Sequence, residues 1–497
     1  MGAWLVWLSS DMTPILGWLV FVLHLVVIAR AITRPNREPA SRVAWVAVIT
    51  FLPLIGMIAY LCLGETSIGR TRIHNLHKVE ASMPLPNDAG SAPDAISVQA
   101  KPLFDLAQSI NGFRPVAGNR IVLLGDPAAP PSEPKADSNA SIEVLIADIE
   151  QARDHVHIGF YIWLDDHNGG HVTDAVCAAA RRGVQCRVMV DALGSRAFVH
   201  GPRWKQMQQA GVHVHAMLDD VPRLGHLAIG RVDLRNHRKV AVIDNRIAYC
   251  GSQNCADPEF RTKPKFAPWI DLLMRCEGPV VRQAQYLFLV TWISEVGEPL
   301  EAMVNAVPEP ERFADGVVAQ MFGTGPTSQH NAMSDMFVAA MYAARTELLI
   351  TTPYFVPDEA LLRALCAAPR RGVATTIIFP ARNDSMLVGN SCRSTWPDLL
   401  ACGVKVFEYP LGLLHTKSLT IDGDIALVGS ANMDRRSLEL NYENNLVVTD
   451  PTVVQTIRQR QLGYLSVSNA VGIDTVEAWS YPKRLLQNAI GMMSPVL

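Results

Sequence analysis

Two stretches of the chain carry the same reactive side chains at the same spacing. "HRKVAVIDNRIAYCGSQN" begins at His237, and "HTKSLTIDGDIALVGSAN" begins at His415. Each stretch has a Lys two residues after the His, an Asp five residues further on, and a Gly-Ser-x-Asn group at its end. An imidazole can attack an electrophile or transfer a proton near neutral pH, and an ammonium group stabilises negative charge on phosphoryl oxygens. These residue types therefore indicate phosphoryl-transfer chemistry, encoded twice.

The spacing within each stretch predicts a β-hairpin. Asp244-Asn245 and Asp422-Gly423 are favourable two-residue turns, so we expect the residues that flank each turn to face each other. Side chains alternate along a strand, which places the His, Lys, Ser and Asn of each stretch on one face. By this count the two Asp residues lie at the turn and have a structural role. The residues predicted to converge are His237, Lys239, Ser252 and Asn254 in the first stretch and His415, Lys417, Ser430 and Asn432 in the second.

Two copies of this cluster can divide the work of one phosphodiester reaction. One imidazole attacks phosphorus, the other protonates the departing alkoxide, and the two Lys side chains stabilise the charge on the remaining oxygens. We therefore predict one active site that is assembled from both copies. The pairs His155/His157 and His213/His215 lie on predicted strands without a third ligand, so we interpret them as structural. No metal ion and no cofactor is predicted.

The sequence around the two stretches also repeats in the same order. The helical pattern "SIEVLIADIEQARD" precedes the apolar strand "HVHIGFYIW", and "MSDMFVAAMYAART" precedes "ELLITTPYFV". Each half then has a helix that ends in Arg-Arg-Gly and is followed by a further strand. Helices that alternate with strands predict an α/β fold with parallel sheets between helices. Two such halves can pack about a pseudo-twofold axis.

Two long apolar runs near the N-terminus predict a membrane anchor. Met12–Ala29 and Val43–Gly64 contain no charged residue, and each approaches the roughly 20 residues that cross a bilayer as a helix. Pro53 lies inside the second run and should kink that helix. The sequence therefore predicts two transmembrane helices.

The side of the membrane that holds the rest of the chain stays open. Arg30, Arg34, Arg37 and Arg42 predict that the loop between the spans is cytoplasmic, which would place the rest outside. Eight of the nine cysteines follow in that remainder without disulfide or metal-site spacing, and this favours a reducing compartment. The net charge of −3 argues against nucleic acid as a partner.

The duplicated pattern H-x-K-x4-D-x6-G-S-x-N resembles the signature of the phospholipase D superfamily, over about residues 120 to 497. With the N-terminal runs and "DPEF" after the first copy, the chain resembles the bacterial cardiolipin synthases of that superfamily. The resemblance implies two tandem phospholipase-D-like α/β/α domains in pseudo-twofold arrangement, preceded by two transmembrane helices. The boundaries we predict are 1–70 for the anchor, 71–118 for a linker, and 119–305 and 306–497 for the two catalytic domains.

The resemblance implies transfer of a phosphatidyl group from one phosphatidylglycerol to another, which yields cardiolipin and glycerol through a phosphatidyl-histidine. His237 would be the nucleophile and His415 the acid and then the base. The Lys and Asn side chains would hold phosphoryl oxygens, with support from the two Ser. The full set that the resemblance assigns to catalysis also includes Asp244 and Asp422 as signature members, Glu443 as the acid behind the His of the second half, and Asp271 as the candidate acid in the first half.

The alternative function is a membrane-anchored phospholipase D that uses water as the acceptor and releases phosphatidic acid. In either case the resemblance implies a multi-pass protein of the bacterial plasma (inner) membrane, with phospholipid as substrate and surface. The oligomeric state stays open, with a homodimer as one option.

Overall fold

The structure is a computed structural model that describes residues 14–65, 68–87, 96–125, 134–220, 231, 233–306, 309–327 and 329–493. The chain divides into two compact units. The first comprises Met1–Arg70, Asp220–Leu234 and Met492–Leu497, and the second comprises Thr71–Asp219 and Arg235–Gly491.

The first unit contains three apolar helices, and the second predicted span is not one continuous helix. The helices are α1 (Pro14–Thr33), α2 (Pro39–Phe51) and α3 (Pro53–Leu63). Among the described residues, one helix is long and apolar enough to cross a membrane, over Ile15–Thr33 with mean hydropathy 2.4. The second run breaks at Leu52, which has φ −126° and ψ 68°, because a residue before proline disfavours the helical conformation and Pro53 has no N–H to donate.

Two helices then lead into an α/β body whose halves repeat the same order of elements. The leading helices are α4 (Arg70–Ser82) and α5 (Lys101–Asn111). The first half contains β1 (Val116–Leu123), α6 (Pro134–Gln151), β2 (His155–Phe160), α7 (His167–Arg181), β3 (Gln185–Asp191), α8 (Arg196–Val199), α9 (Pro202–Gln209), β4 (His213–Met217), β5 (Val240–Ile243), β6 (Ile247–Gly251), β7 (Trp269–Ile270), β8 (Leu273–Glu277) and α10 (Val281–Val296).

The second half contains β9 (Val317–Thr324), α11 (Ala332–Ala343), β10 (Glu347–Thr351), β11 (Phe355–Val356), α12 (Glu359–Arg370), β12 (Ala374–Pro380), α13 (Met386–Ser394), α14 (Trp396–Ala401), β13 (Lys405–Tyr409), β14 (Leu413–Leu414), β15 (Ser418–Ile421), β16 (Ile425–Gly429), β17 (Met433–Asp434), α15 (Arg435–Glu439), β18 (Glu443–Thr449), α16 (Pro451–Ser466), β19 (Asn469–Val471), α17 (Ile473–Glu477) and α18 (Tyr481–Met492). Two 3-10 turns lie at Pro264–Phe266 and Glu301–Asn305.

The halves share one sheet, in which corresponding strands follow in the same order on either side of the centre. The order is β19-β13-β12-β10-β15-β16-β18-β9-β1-β8-β6-β5-β2-β3-β4. The pair β1–β9 joins the halves, and both sides then run outward through corresponding strands. Strands β2, β3 and β4 are parallel, as are β10, β12 and β13, whereas the strands nearer the centre are antiparallel. The duplicated α/β fold is confirmed, although only β2-β3-β4 and β10-β12-β13 form the parallel sheets that we predicted.

Helices cover both faces of each half. In the first half α6 and α7 pack on one face, where Ile142, Val176 and Val188 belong to the same buried cluster, and α10 packs against β2, β5 and β6. In the second half α11 and α12 form the corresponding layer, and α16 packs against β10, β15 and β16. Helix α5 lies within the segment that we predicted as a linker, and it buries Phe104 in the core of the second half.

The two hairpins form, but their register differs from the predicted one. Ile243 pairs with Ile247 and Ile421 with Ile425, so each loop has three residues rather than two. Asp244 and Asn245 both have positive φ, of 53° and 50°, and the ladder starts one residue later than a two-residue turn would allow. A one-residue shift changes which side chains share a face. The predicted convergence of the two Ser residues on the His face is therefore wrong.

Candidate active site

The two motif imidazoles line one cavity at the centre of the α/β body. The cavity has a volume of about 330 Å³ and brings together residues from both halves. His237 and Asn254 come from the first half, and His415 and Asn432 come from the second. All four side chains are buried. The prediction that one site is assembled from both copies agrees with this geometry.

Backbone pairing between the halves positions each His. His237 donates its N–H to the carbonyl of Tyr442 at 2.9 Å, and His415 donates its N–H to the carbonyl of Ile270 at 2.7 Å. Each partner immediately precedes one of the two predicted acids, Glu443 or Asp271. Each His segment therefore lies against the segment that carries the acid of the other half.

As a consequence, each acid is hydrogen-bonded to the imidazole of the other half, an arrangement that we call crosswise. His237 Nδ1 lies 2.9 and 3.0 Å from the two carboxylate oxygens of Glu443, and His415 Nδ1 lies 2.6 Å from Asp271 Oδ1. The pairing that the family resemblance implied, of each acid with the His of its own half, is therefore wrong. Because the carboxylate accepts a hydrogen bond from Nδ1–H, it leaves Nε2 of each ring as the nitrogen with a free lone pair.

The motif Ser residues lie behind the acids rather than beside the imidazoles. Ser252 Oγ donates to Asp271 Oδ1 at 2.6 Å, and Ser430 Oγ donates to Glu443 Oε2. Ser437 Oγ donates to the other oxygen of Glu443 at 2.8 Å. The close approach is possible because Gly precedes each Ser: a Cβ at position 251 would collide with the Leu272 backbone, and one at 429 with that of Asn444. Each Ser thus orients the acid that holds the imidazole of the opposite half.

Burial sets the protonation of the two imidazoles. Desolvation lowers the pKa of His237 to about 4, even though Glu443 opposes the shift, and it lowers the pKa of His415 to about 4 although Asp271 opposes it. Burial alone would raise the pKa of Glu443, but His237, Lys239 and the Ser430 hydroxyl lower it to about 2. The resting site therefore holds two neutral imidazoles, each hydrogen-bonded to a carboxylate.

The two motif Lys side chains are buried, and neither is among the residues that line the cavity. Lys239 Nζ donates to the carbonyl of His237 at 2.7 Å, and Lys417 Nζ donates to the carbonyl of His415 at 2.6 Å. Desolvation lowers the pKa of Lys239 to about 7 and that of Lys417 to about 8. Asn444 fixes the first Lys, because its amide pairs with both the N–H and the carbonyl of that residue. These ammonium groups can stabilise charge on a phosphate only while they remain protonated.

This lowered pKa predicts a decline of activity in alkaline solution. We expect kcat/KM to fall as the pH rises through about 7 to 8, because the protonated forms of Lys239 and Lys417 exist below their pKa values and are lost above them. The measurement is kcat/KM against pH at constant ionic strength. Lys239→Arg keeps its charge and should remove the part of the decline due to that residue, whatever its absolute rate. A profile that stays flat well above pH 8 in the unmodified protein contradicts the prediction.

The two Asp residues of the motif are not at the cavity. Asp244 accepts hydrogen bonds from the N–H groups of Arg153, Asp154 and His155 at 2.8 to 2.9 Å. Asp422 accepts in the same way from the backbone of residues 345–347. Membership of the catalytic set, which the family resemblance implied for both Asp residues, does not fit this position. Their role is the structural one that strand counting indicated, since each ties the hairpin turn to the start of a neighbouring strand, β2 or β10.

Asp244→Ala is therefore expected to lower the stability of the fold and to leave kcat of the folded protein unchanged. Three backbone N–H groups, of which that of His155 is buried, lose their charged acceptor, which should reduce the free energy of unfolding by about 1–3 kcal/mol. The measurement is thermal unfolding of the detergent-purified full chain, together with kcat of the folded fraction. Asp244→Asn keeps one acceptor oxygen, so its stability should lie between that of the unmodified protein and that of Asp244→Ala. Unchanged stability with lost turnover would show instead that the carboxylate acts in catalysis.

Aromatic and charged side chains that sequence analysis did not select complete the cavity. Tyr161 lies 4.9 Å from the His237 ring, and Trp269 lies 4.6 Å from the His415 ring, between ring centroids. Tyr161 follows β2 directly, in "FYIW", and Tyr354 lies three residues after the end of the corresponding strand β10, in "PYFV", so the internal repeat itself was a usable signal. The remaining lining residues include Arg235, Phe260, Lys263, Asp384, Asp434, Arg436 and Asn441.

The H-x-H pairs lie away from this cavity. His157 Nδ1 is hydrogen-bonded to Gln285 Oε1 at 3.1 Å inside the first half, and burial lowers its pKa well below the usual value. Among the residues that the structure describes, no group of three or more His, Cys, Asp or Glu is arranged to hold a metal ion.

Comparison with known proteins places these features in a family. The model described as "Cardiolipin synthase, PLD-like domain" matches residues 145–264 and 337–461, one match in each half. The model described as "Phospholipase_D-nuclease N-terminal" matches residues 22–65. Phosphatidylserine synthase of Haemophilus influenzae has a similar fold, with a TM-score of 0.57 and 13% sequence identity over 80% of this chain and all of that one. The fold and the duplicated site are thus those of a phospholipase-D-like protein.

Within this class, the chain is similar over nearly its full length to proteins of one kind. The chain is 36% identical to cardiolipin synthase A of Edwardsiella ictaluri, over 98% of this chain and 100% of that protein. It is 36% identical to cardiolipin synthase A of Salmonella arizonae over 97% and 99% of the respective chains. The chain belongs to the cardiolipin synthase family of phospholipase-D-like proteins.

Proposed function

We propose that the chain is a phosphatidyltransferase that makes cardiolipin and glycerol from two molecules of phosphatidylglycerol. The observation that carries this proposal is the pair of imidazoles on one cavity, each held at Nδ1 by a carboxylate from the other half. Membership of the cardiolipin synthase family supplies the substrate class. The alternative is hydrolysis of the same lipid by water, which this site chemistry also allows.

The first half-reaction transfers the phosphatidyl group to the protein. Nε2 of one imidazole attacks the phosphorus, and the bond from phosphorus to the glycerol headgroup breaks. The other imidazole gives its proton to the glycerol oxygen as it leaves. Both rings are neutral at rest, so we expect the bound phosphate anion to raise the pKa of the second ring and bring in that proton. On family resemblance we propose His237 as the nucleophile and His415 as the acid.

The second half-reaction returns the phosphatidyl group to a lipid. The hydroxyl of the next phosphatidylglycerol gives its proton to the imidazole that served as acid, and its oxygen attacks phosphorus. The bond between phosphorus and the histidine nitrogen breaks and frees the nucleophile. Lys239, Lys417, Asn254 and Asn432 stabilise the phosphoryl oxygens in both steps. In support of this, Asn254 and Asn432 both line the cavity.

The acids and Ser residues position the imidazoles and do not touch phosphorus. Glu443 and Asp271 select the tautomer in which Nδ1 carries the proton, and Ser430 and Ser252 fix the two carboxylates. A membrane location follows from the family and from the apolar helix α1. We propose the bacterial plasma membrane, and we propose residues 119–305 and 306–497 as the two catalytic domains.

A product assay separates transferase from hydrolase. The detergent-purified full chain is given phosphatidylglycerol labelled in both the acyl chains and the glycerol headgroup. We expect labelled cardiolipin and free glycerol in equal amounts. Phosphatidic acid as the main product would replace the transferase with a phospholipase D, and retention of both labels in the starting lipid would contradict both functions.

A further inference from the structure

The second apolar run folds back on itself at Leu52–Pro53. Trp45 in α2 and Tyr60 in α3 are in edge contact with ring centroids 5.4 Å apart, although fifteen residues separate them in sequence. Closer to the turn, a Cβ on Gly56 would collide with the backbone of Val48 and Ile49. These contacts pair residues symmetrically about the break, so α2 and α3 form an antiparallel helical hairpin.

Charged residues close the open end of this hairpin. Arg37, just before α2, donates Nη2–H to the carbonyl of Gly64 at 3.0 Å, just after α3. Arg30, in the last turn of α1, donates through Nε and Nη2 to both carboxylate oxygens of Glu65, with Nη2 at 2.9 Å. Arg34 adds a third contact to Glu65 at 3.5 Å. The chain therefore enters α2 and leaves α3 beside the same end of α1.

Neither arm of the hairpin is long enough to cross a membrane. α2 has 13 residues and α3 has 11. At 1.5 Å per residue they extend about 20 Å and about 17 Å, against roughly 30 Å of hydrocarbon. In contrast, α1 has 20 residues and extends about 30 Å. Of the three helices, only α1 matches the thickness of the bilayer.

The outer surface of the hairpin is apolar and uncovered within the described residues. Phe51 at the tip is 78% exposed, and Ile55 and Val43 are 68% and 70% exposed. From Val43 to Gly64 there is no charged residue. Exposed apolar side chains on this scale are costly in water, whereas helices that satisfy their own backbone hydrogen bonds are stable among acyl chains. The occupant that fits this surface is the hydrocarbon of one leaflet.

We propose that residues 39–63 form a re-entrant hairpin, and that the chain crosses the membrane once, through α1. The loop that contains Arg34 and Arg37 and the exit at Glu65 then lie on one side, and the Arg residues place that side in the cytoplasm. The chain continues from Arg70 directly into the α/β unit, so both catalytic stretches are cytoplasmic. This arrangement removes the conflict between the Arg-rich loop and the free cysteines, because a reducing compartment contains both. The proposal does not depend on which reaction the site performs.

Labelling of single cysteines tests this arrangement in the full chain. The half-buried cysteines are first removed by Cys62→Ser and Cys402→Ser, and the fully buried ones serve as unreactive background. Asn36→Cys, Arg70→Cys and, before α1, Ser9→Cys are then introduced one at a time. A membrane-impermeant maleimide is applied to inside-out and to right-side-out vesicles. Unfolded protein is excluded by requiring the thermal unfolding of every variant to match that of the parent.

We expect position 36 and position 70 to react in inside-out vesicles and position 9 to react in right-side-out vesicles. Reaction of positions 36 and 70 from opposite sides would show that the second run crosses the membrane, and it would overturn the proposal. Reaction of both only in right-side-out vesicles would overturn the cytoplasmic assignment. Because the readout is labelling, a failed cardiolipin assay has no bearing on this result.

Discussion

His237→Ala and His415→Ala should each abolish cardiolipin synthesis while the protein stays folded. A ping-pong transfer needs both imidazoles in each half-reaction, so neither can replace the other across the shared cavity. We expect kcat to fall by about 10³-fold or more in each variant. The measurement is cardiolipin formation by detergent-purified full chain, with thermal unfolding as the check on folding. His200→Ala is the matched control, because that His is exposed and its ring Nδ1 is hydrogen-bonded to the carbonyl of Arg196 within its own helical turn.

The same two variants separate the roles of the imidazoles. Removal of the nucleophile prevents formation of a phosphatidyl-histidine, whereas removal of the acid slows it and still permits a covalent adduct on the other ring. Mass spectrometry of acid-free peptide digests should therefore find the adduct on His237 when His415 is replaced. An adduct on His415 in the His237→Ala protein would reverse the assignment. Near-normal turnover in either variant would contradict the proposal that both imidazoles belong to one shared site.

Glu443→Gln should lower kcat by about 10²- to 10⁴-fold with little change in KM. The carboxylate accepts from Nδ1–H of His237, and an amide can donate there instead, which favours the tautomer with the proton on Nε2 and blocks that nitrogen. Glu443 is a positioning residue, so Glu443→Asp should recover part of the rate. Asp271→Asn is the corresponding change for His415.

Imidazole nitrogen NMR distinguishes the crosswise arrangement from pairing within each half. Glu443→Gln should shift the ring resonances of His237 and leave those of His415 in place, and Asp271→Asn should do the reverse. A purely structural role for Glu443 would not alter the tautomer of a single ring. Resonance changes at His415 in the Glu443→Gln protein would contradict the crosswise assignment.

The duplicated motif was sufficient to predict the fold class and the two imidazoles and two Asn side chains at the cavity. Type and spacing identified His237, His415 and both Lys, and the repeated flanking patterns indicated two α/β halves. The strand register of the hairpins could not be predicted from the sequence, because a three-residue loop and a two-residue loop are both compatible with Asp244-Asn245-Arg246. That single residue changed the role of Ser252 from a partner of the imidazole to a partner of Asp271.

The N-terminal run shows the same limit at a larger scale. Val43–Gly64 has the length and composition of a membrane span, and Pro53 was correctly located as the point of disruption. A kink and a complete reversal both begin at such a proline. The absence of a Cβ at Gly56, the contact of Trp45 with Tyr60, and the ion pairs of Glu65 with Arg30 and Arg34 select the reversal.

The sequence by itself determined which chemistry the chain can perform, because residue types at a repeated local spacing are readable without knowledge of long-range contacts. Only the tertiary structure decided which acid serves which imidazole. Those pairs join residues 206 and 144 positions apart, and they depend on the order in which the central strands of the two halves assemble. Local periodicity does not encode that order, since it arises when two complete halves pack together and each His segment bonds to the backbone of the other half.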